Sequence, residues 1–209
     1  MRALIIAASE PLRKRSMTPP PFGTLALGYY GEVAGADFIT PAQLRTAANI
    51  VTGFAQNEDS TWLKFSKDGK PLYVSKKAIQ RSVTYEQLNA LGVIKGTKIV
   101  TVGGKQYKLR VLKGATSDPG STPGGEWNDL IHRVHAAAGG ERWANFNDAD
   151  LTLGLVNGGV CICQEAYVGG GGGSGWVCRG YPNTVSGLWY IQPNTTNDYY
   201  GWRPVLEPI

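Results

Sequence analysis

The chain has 209 residues and a formal net charge of +5, with 42% hydrophobic, 10% aromatic and only 18% charged residues. Such a composition excludes a disordered chain, which lacks the aromatics to build a core. The 28 glycines, 10 tyrosines and 6 tryptophans fit an α+β, β-rich fold of short antiparallel strands and hairpins with two or three short helices, rather than a helical bundle.

Residues 1–27 read as an extended N-terminal arm, with a basic cluster (Arg13, Lys14, Arg15) and the run Pro19-Pro20-Pro21. The apolar run Ala3 to Ala8 is too short for a secretory signal and is followed at once by Glu10 and the basic cluster. Structured sequence is expected from Gly28. Thr40-Pro41 opens a helix, with Thr40 as N-cap and Pro41 in the first helical position. Ala42, Leu44, Ala47, Ala48 and Val51 supply its apolar face, and Gly53 ends it.

Two hairpins follow. Thr61 to Phe65 and Pro71 to Ser75 flank Lys67-Asp68-Gly69-Lys70, where Asp-Gly signals a tight turn. Thr97 to Val102 and Lys105 to Leu112 flank Gly103-Gly104. In that second pair Ile99 and Thr101, with Tyr107, Leu109 and Val111, alternate with polar residues as half-buried strands do. A short helix over Thr84 to Leu91 lies between the hairpins.

Residues 114–125 form a Gly/Pro/Ser/Thr loop. Trp127, Leu130, Ile131, Val134 and Ala138 recur at helical spacing and predict an α-helix over Glu126 to Ala138. Short strands at about 158–167, 175–181, 186–191 and 199–207 complete the chain. The run Gly169 to Gly173 is too flexible for a rigid phosphate cradle and reads as a mobile loop. In the last strand Pro204 cannot donate a ladder hydrogen bond, which predicts an edge strand or one unpaired side. Its Tyr, Trp and Leu residues predict an end tied into a core. The organisation is thus an arm (1–27), a hairpin-rich basic region (28–115) and a Gly/Trp-rich region (116–209), the last two forming either one domain or two tightly packed halves.

Charge is divided along the chain. Residues 61–113 carry twelve basic and two acidic groups, whereas residues 114–209 carry four arginines, no lysine and nine acidic groups. A basic half facing an acidic half, within a subunit or between copies, explains the division. A nucleic-acid reader would need a basic helix or a reader motif, and neither is visible. The three cysteines, Cys161, Cys163 and Cys178, are odd in number and argue against a disulfide framework. No run is long enough to span a membrane.

Several groups invite chemical readings. His132 and His135, with Cys161 and Cys163, could ligate zinc, but the spacing of structural zinc sites is missing. Asn145, Asn147, Asp148 and Asp150 are oxygen-rich, yet lack the glycine and distal glutamate of a calcium loop; Asx turns explain them better. Glu126, Asp129, Glu141 and Glu165 could pair for glycoside hydrolysis, although Glu126 and Asp129 suit an ordinary helix start. No catalytic residue, metal or cofactor is therefore assigned. The aromatic residues Trp143, Trp176, Tyr181, Trp189 and Tyr190, with Tyr199 and Tyr200, could form a surface that contacts sugar or protein.

The segments GYYGEV, TWLKFSKDGKPLYVSKKAI, GGKQYKLRVLKG, EWNDLIHRVH and GWRPVLEPI, in that order, resemble tailed-bacteriophage virion proteins over residues 28–209. The second half also resembles a C-type-lectin-like fold of the sulfatase-modifying-factor kind, which ends in a strand of the form Gly-(Phe/Trp)-Arg, here Gly201-Trp202-Arg203. The resemblance implies a framework helix at Glu126-Trp127. The sugar-binding lectins carry a Glu/Gln-Pro-Asn/Asp triplet followed by Trp-Asn-Asp. Here Gln192-Pro193-Asn194 follows Trp127-Asn128-Asp129, so the order is reversed and no calcium or sugar ligand carries over. The paired disulfides of secreted lectins and the active-site cysteines of the modifying enzymes are also missing.

The resemblance implies a non-enzymatic virion structural protein, made in the bacterial cytoplasm and acting in capsid or tail decoration or host attachment. Arg13, Lys14 and Arg15 would help to dock the arm. Its partners would be other virion proteins and copies of itself, without membrane insertion or nucleic-acid binding. The alternatives are a receptor-binding adhesin that contacts host-surface glycan through the aromatic residues, and a cell-wall or capsule hydrolase.

Overall fold

The structure is a computed structural model that describes residues 17–118, 125–168, 174–182 and 184–209. Arg13, Lys14 and Arg15 and the run Gly169 to Gly173 lie outside the described residues.

The described residues form an α+β, β-rich fold with thirteen strands in two sheets. The seven-stranded sheet runs β1 (Phe22–Gly23), β2 (Leu27–Val33), β4 (Trp62–Lys67), β5 (Lys70–Ser75), β13 (Val205–Pro208), β8 (Lys105–Arg110), β7 (Lys98–Val102). The six-stranded sheet runs β11 (Leu188–Ile191), β10 (Ser174–Arg179), β9 (Val160–Val168), β12 (Tyr200–Trp202), β6 (Gln80–Arg81), β3 (Phe54–Ala55). Their strand pairs are antiparallel except β12 with β9. Each sheet and each of the two main apolar clusters takes residues from both sides of residue 115.

Local sequence explains most elements. Three helices, α1 (Pro41–Ala48), α2 (Tyr85–Ala90) and α3 (Asp148–Leu151), begin with a reciprocal cap. The Thr84 hydroxyl accepts from the Gln87 N–H at 3.0 Å, and the Gln87 amide accepts from the Thr84 N–H at 2.9 Å. Thr40 with Gln43, and Asn147 with Asp150, repeat the device, which satisfies two otherwise unpaired N–H groups at each helix start. The β4–β5 hairpin turns at Asp68 and Gly69, with φ of 50° and 74°. Both lie in the left-handed region that a two-residue hairpin turn requires, which is why Asp-Gly occurs there.

Several expectations are corrected. Helix α1 stops at Ala48, because Asn49 adopts a left-handed φ of 60°, and Val51 beyond it is exposed. On β7 the buried face belongs to Val100 and Val102, whereas Ile99 and Thr101 point outward. The predicted α-helix over Glu126 to Ala138 is a shorter helix with π geometry over Trp127–His132. Its apolar stripe holds, since Trp127, Leu130, Ile131 and Val134 are all buried. The chain then leaves the helix because Phe146 pairs with it: the Phe146 N–H donates to the Val134 carbonyl and the Ala136 N–H donates to the Phe146 carbonyl.

Residues 17–27, expected in the arm, fold against their own chain. Strand β1 pairs with β2, Pro20 is buried, and the Tyr30 hydroxyl donates to the Thr18 carbonyl at 2.5 Å.

The predicted last strand is two strands in two different sheets. Strand β12 lies inside the six-stranded sheet and β13 inside the seven-stranded one, so neither is an edge. Arg203 and Pro204 bridge the sheets, and the missing N–H of Pro204 falls at this crossover, outside both strands. Val205 and Leu206 point into opposite apolar clusters, as adjacent strand residues must, so β13 is buried on both faces.

Candidate functional site

Two surface features stand out. The first is aromatic and is built on edge strand β11. Trp189 and Tyr190 stack at 5.5 Å and 17°, Tyr190 stacks on Tyr167 of β9 at 5.0 Å and 4°, and Tyr181 lies 4.7 Å from Trp189. Trp189 is 42% exposed. The Tyr rings each carry a polar hydroxyl and Trp189 exposes apolar ring area, the combination that makes aromatic residues effective at contact surfaces.

Not all the expected aromatics belong to it. Trp143 is a core residue, 2% exposed, packed on Phe65 and under the Arg133 guanidinium. Trp176 is half-buried, its ring stacked on Tyr85 at 3.8 Å and 8°. Burial removes Trp143 from any contact surface and leaves Trp176 committed to an internal partner. Tyr167, absent from the sequence prediction, takes their place; its period-two position on a strand gave no signal of the stack.

The second feature is a basic cleft of about 410 Å³ lined by Lys67, Lys70, Lys95, Lys108, Arg110 and Lys113, with Asp68, Glu126 and Glu207 as its acidic residues. Lys67, Asp68 and Lys70 come from the β4–β5 turn, Lys108 and Arg110 from one face of β8, and Glu207 from β13. The floor is a buried ion pair. Arg110 donates to both carboxylate oxygens of Glu126, at 2.6 and 2.8 Å, and to Glu207 at 3.0 Å. The Lys113 N–H adds a bond to Glu126 at 3.1 Å, and the Lys67 ammonium lies 3.4 Å away. Burial by itself would raise the Glu126 pKa. The hydrogen bonds and charge of Arg110, helped by Lys67 and the Lys113 N–H, outweigh it and hold the carboxyl below its ordinary range.

The sequence marked this region only through its charge, twelve basic residues over 61–113. Which lysines converge depends on β5 and β8 both pairing with β13, a long-range fact.

Most of the other candidates have structural partners. Glu165 is buried and accepts from the Gly114 N–H at 2.8 Å; burial raises its pKa against that hydrogen bond. Glu141 pairs with Arg133 at 2.9 Å on the surface. His135 lies 3.2 Å from Asp148, and its Nδ1 accepts from the Ala137 N–H. The three thiols are buried and unbridged, and burial pushes Cys163 and Cys178 well above the ordinary thiol pKa. Among the described residues the histidines and cysteines join no group of three or more that could hold a metal ion. Asn147 and Asp150 are spent on the α3 cap, as the Asx reading expects. Among the described residues no helix is long and apolar enough to cross a membrane.

No family model, no curated protein and no solved structure matches the chain.

Proposed function

We propose that the chain is a non-enzymatic structural component of a tailed-bacteriophage particle, present in many copies, with a role in capsid or tail decoration or in attachment. The observation that carries the reading is the commitment of most candidate catalytic groups to structure. Glu126 clamps Arg110, Glu165 caps the Gly114 N–H, and the thiols are core residues. The order of the five resembling segments supports the virion assignment, and the basic cluster Arg13-Lys14-Arg15 is the proposed docking element. The decisive experiment is quantitative proteomics of purified particles from a lysate encoding the chain. A fixed, high copy number per particle is expected; absence from intact particles ends the reading.

A second reading is favoured by the stacked aromatic face. Trp189, Tyr190, Tyr181 and Tyr167 would contact host-surface glycan, as flat rings pack on the apolar faces of sugars. Glycan-array binding lost in Trp189→Ala and kept in Lys98→Gln supports it; no binding to any glycan removes it.

A further inference from the structure

We propose that the basic cleft is a binding site for a compact polyphosphate group. Among the described residues six cationic and three acidic side chains line it. Arg110 is already engaged by Glu126 and Glu207, Lys67 faces Glu126, and Lys95 is paired with Asp118 at 2.6 Å. Lys70, Lys108 and Lys113 are exposed, and among the described residues none of the three has a carboxylate partner. Three free ammonium groups therefore converge on a concavity whose floor is neutralised and hydrogen-bonded.

The chemistry selects among anions. The one guanidinium is spent, so the site lacks a free planar fork for carboxylate recognition. Ammonium groups are compact point charges and reward the high charge density of linked phosphates. Among the described residues no aromatic side chain lines the cleft, so these offer no platform on which a base could stack. Its volume lies in the small-molecule range. Free tripolyphosphate and the triphosphate of a nucleotide present the same oxyanions, and the absence of a stacking platform predicts that the cleft treats them alike.

The test is titration calorimetry of the full chain with tripolyphosphate, ATP and a 20-base-pair DNA duplex at near-physiological salt. Tripolyphosphate and ATP should bind with affinities within about threefold of each other. Lys108→Gln/Lys113→Gln should weaken both by about tenfold. The charge-matched Lys98→Gln/Lys105→Gln, two lysines outside the cleft, should change them less than about twofold. Lys105, Lys108 and Lys113 are exposed and Lys98 is half-buried, and matching circular dichroism spectra confirm folding. Equal losses in the two double variants would reduce the effect to net charge and overturn the proposal. So would the absence of tripolyphosphate binding, or a duplex that binds far more tightly than either phosphate ligand. Failure here leaves the virion reading untouched, since copy number in particles is measured separately.

Discussion

Arg110 and Glu126 form a two-bond fork, 2.6 and 2.8 Å, beneath the basic cleft. The pair ties β8 to the start of the Trp127 helix, and Glu207 extends the contact to β13. Glu126 is 2% exposed, so the ions are desolvated and hold each other only through this geometry.

Removing one partner should therefore be costly. Glu126→Gln leaves the Arg110 charge with only the rim residue Glu207, and about 3–5 kcal/mol of stability should be lost by urea denaturation at pH 7. The folded carboxyl titrates below its unfolded value. Its contribution is then complete above the ordinary carboxylate range and disappears as pH falls through the depressed folded value. A variant as stable as the parent at pH 7 contradicts this account.

Glu165 should behave in the opposite sense. Its folded pKa is raised by burial, so its stabilising contribution exists at low pH and is lost as pH climbs through the folded value. Glu165→Gln keeps an acceptor for the Gly114 N–H without the buried charge. Stability at pH 7 should rise by about 0.5–1 kcal/mol, with the gain shrinking towards pH 4. A loss at neutral pH would show that ionised Glu165 has a compensating partner.

The two tryptophans separate core from surface. Trp143→Ala should cost about 3–5 kcal/mol by removing a buried ring from Phe65 and Arg133. Trp189→Ala, on an edge strand, should cost under about 1 kcal/mol. Thermal unfolding of both variants checks the ranking.

Arg203 is the hub of the crossover. It donates to the Ser75 carbonyl at 3.1 Å, to the Cys161 sulfur at 3.3 Å, and to the carbonyls of Lys76 and Leu151. Arg203→Ala strips partners from three buried or half-buried carbonyls and should destabilise by about 2–4 kcal/mol. Arg203→Lys should recover only part of this, because an ammonium cannot reproduce the fork. Full rescue by lysine would reduce the role of Arg203 to its charge.

Sequence by itself determined the local events. Thr40-Pro41 and the segment opening at Thr84 marked two helix starts, and Asn147 with Asp150 marked an Asx turn that the structure turns into a third helix cap, since each cap is a bond between residues three apart. Asp68-Gly69 and Gly103-Gly104 fixed two hairpins, since their backbone needs positive φ. It also predicted that the closing strand at about 199–207 is tied into a core. Tertiary structure alone decided that this stretch divides between two sheets, that Arg203 joins them, and that Trp143 is interior while Tyr167 is stacked at the surface. It alone also brought Lys70, Lys108 and Lys113 to one cleft. The reason is range. Caps and turns are satisfied within a few residues, whereas the cleft and the crossover exist only once β13 has paired with β5 and β8, strands about a hundred residues or more away in the chain.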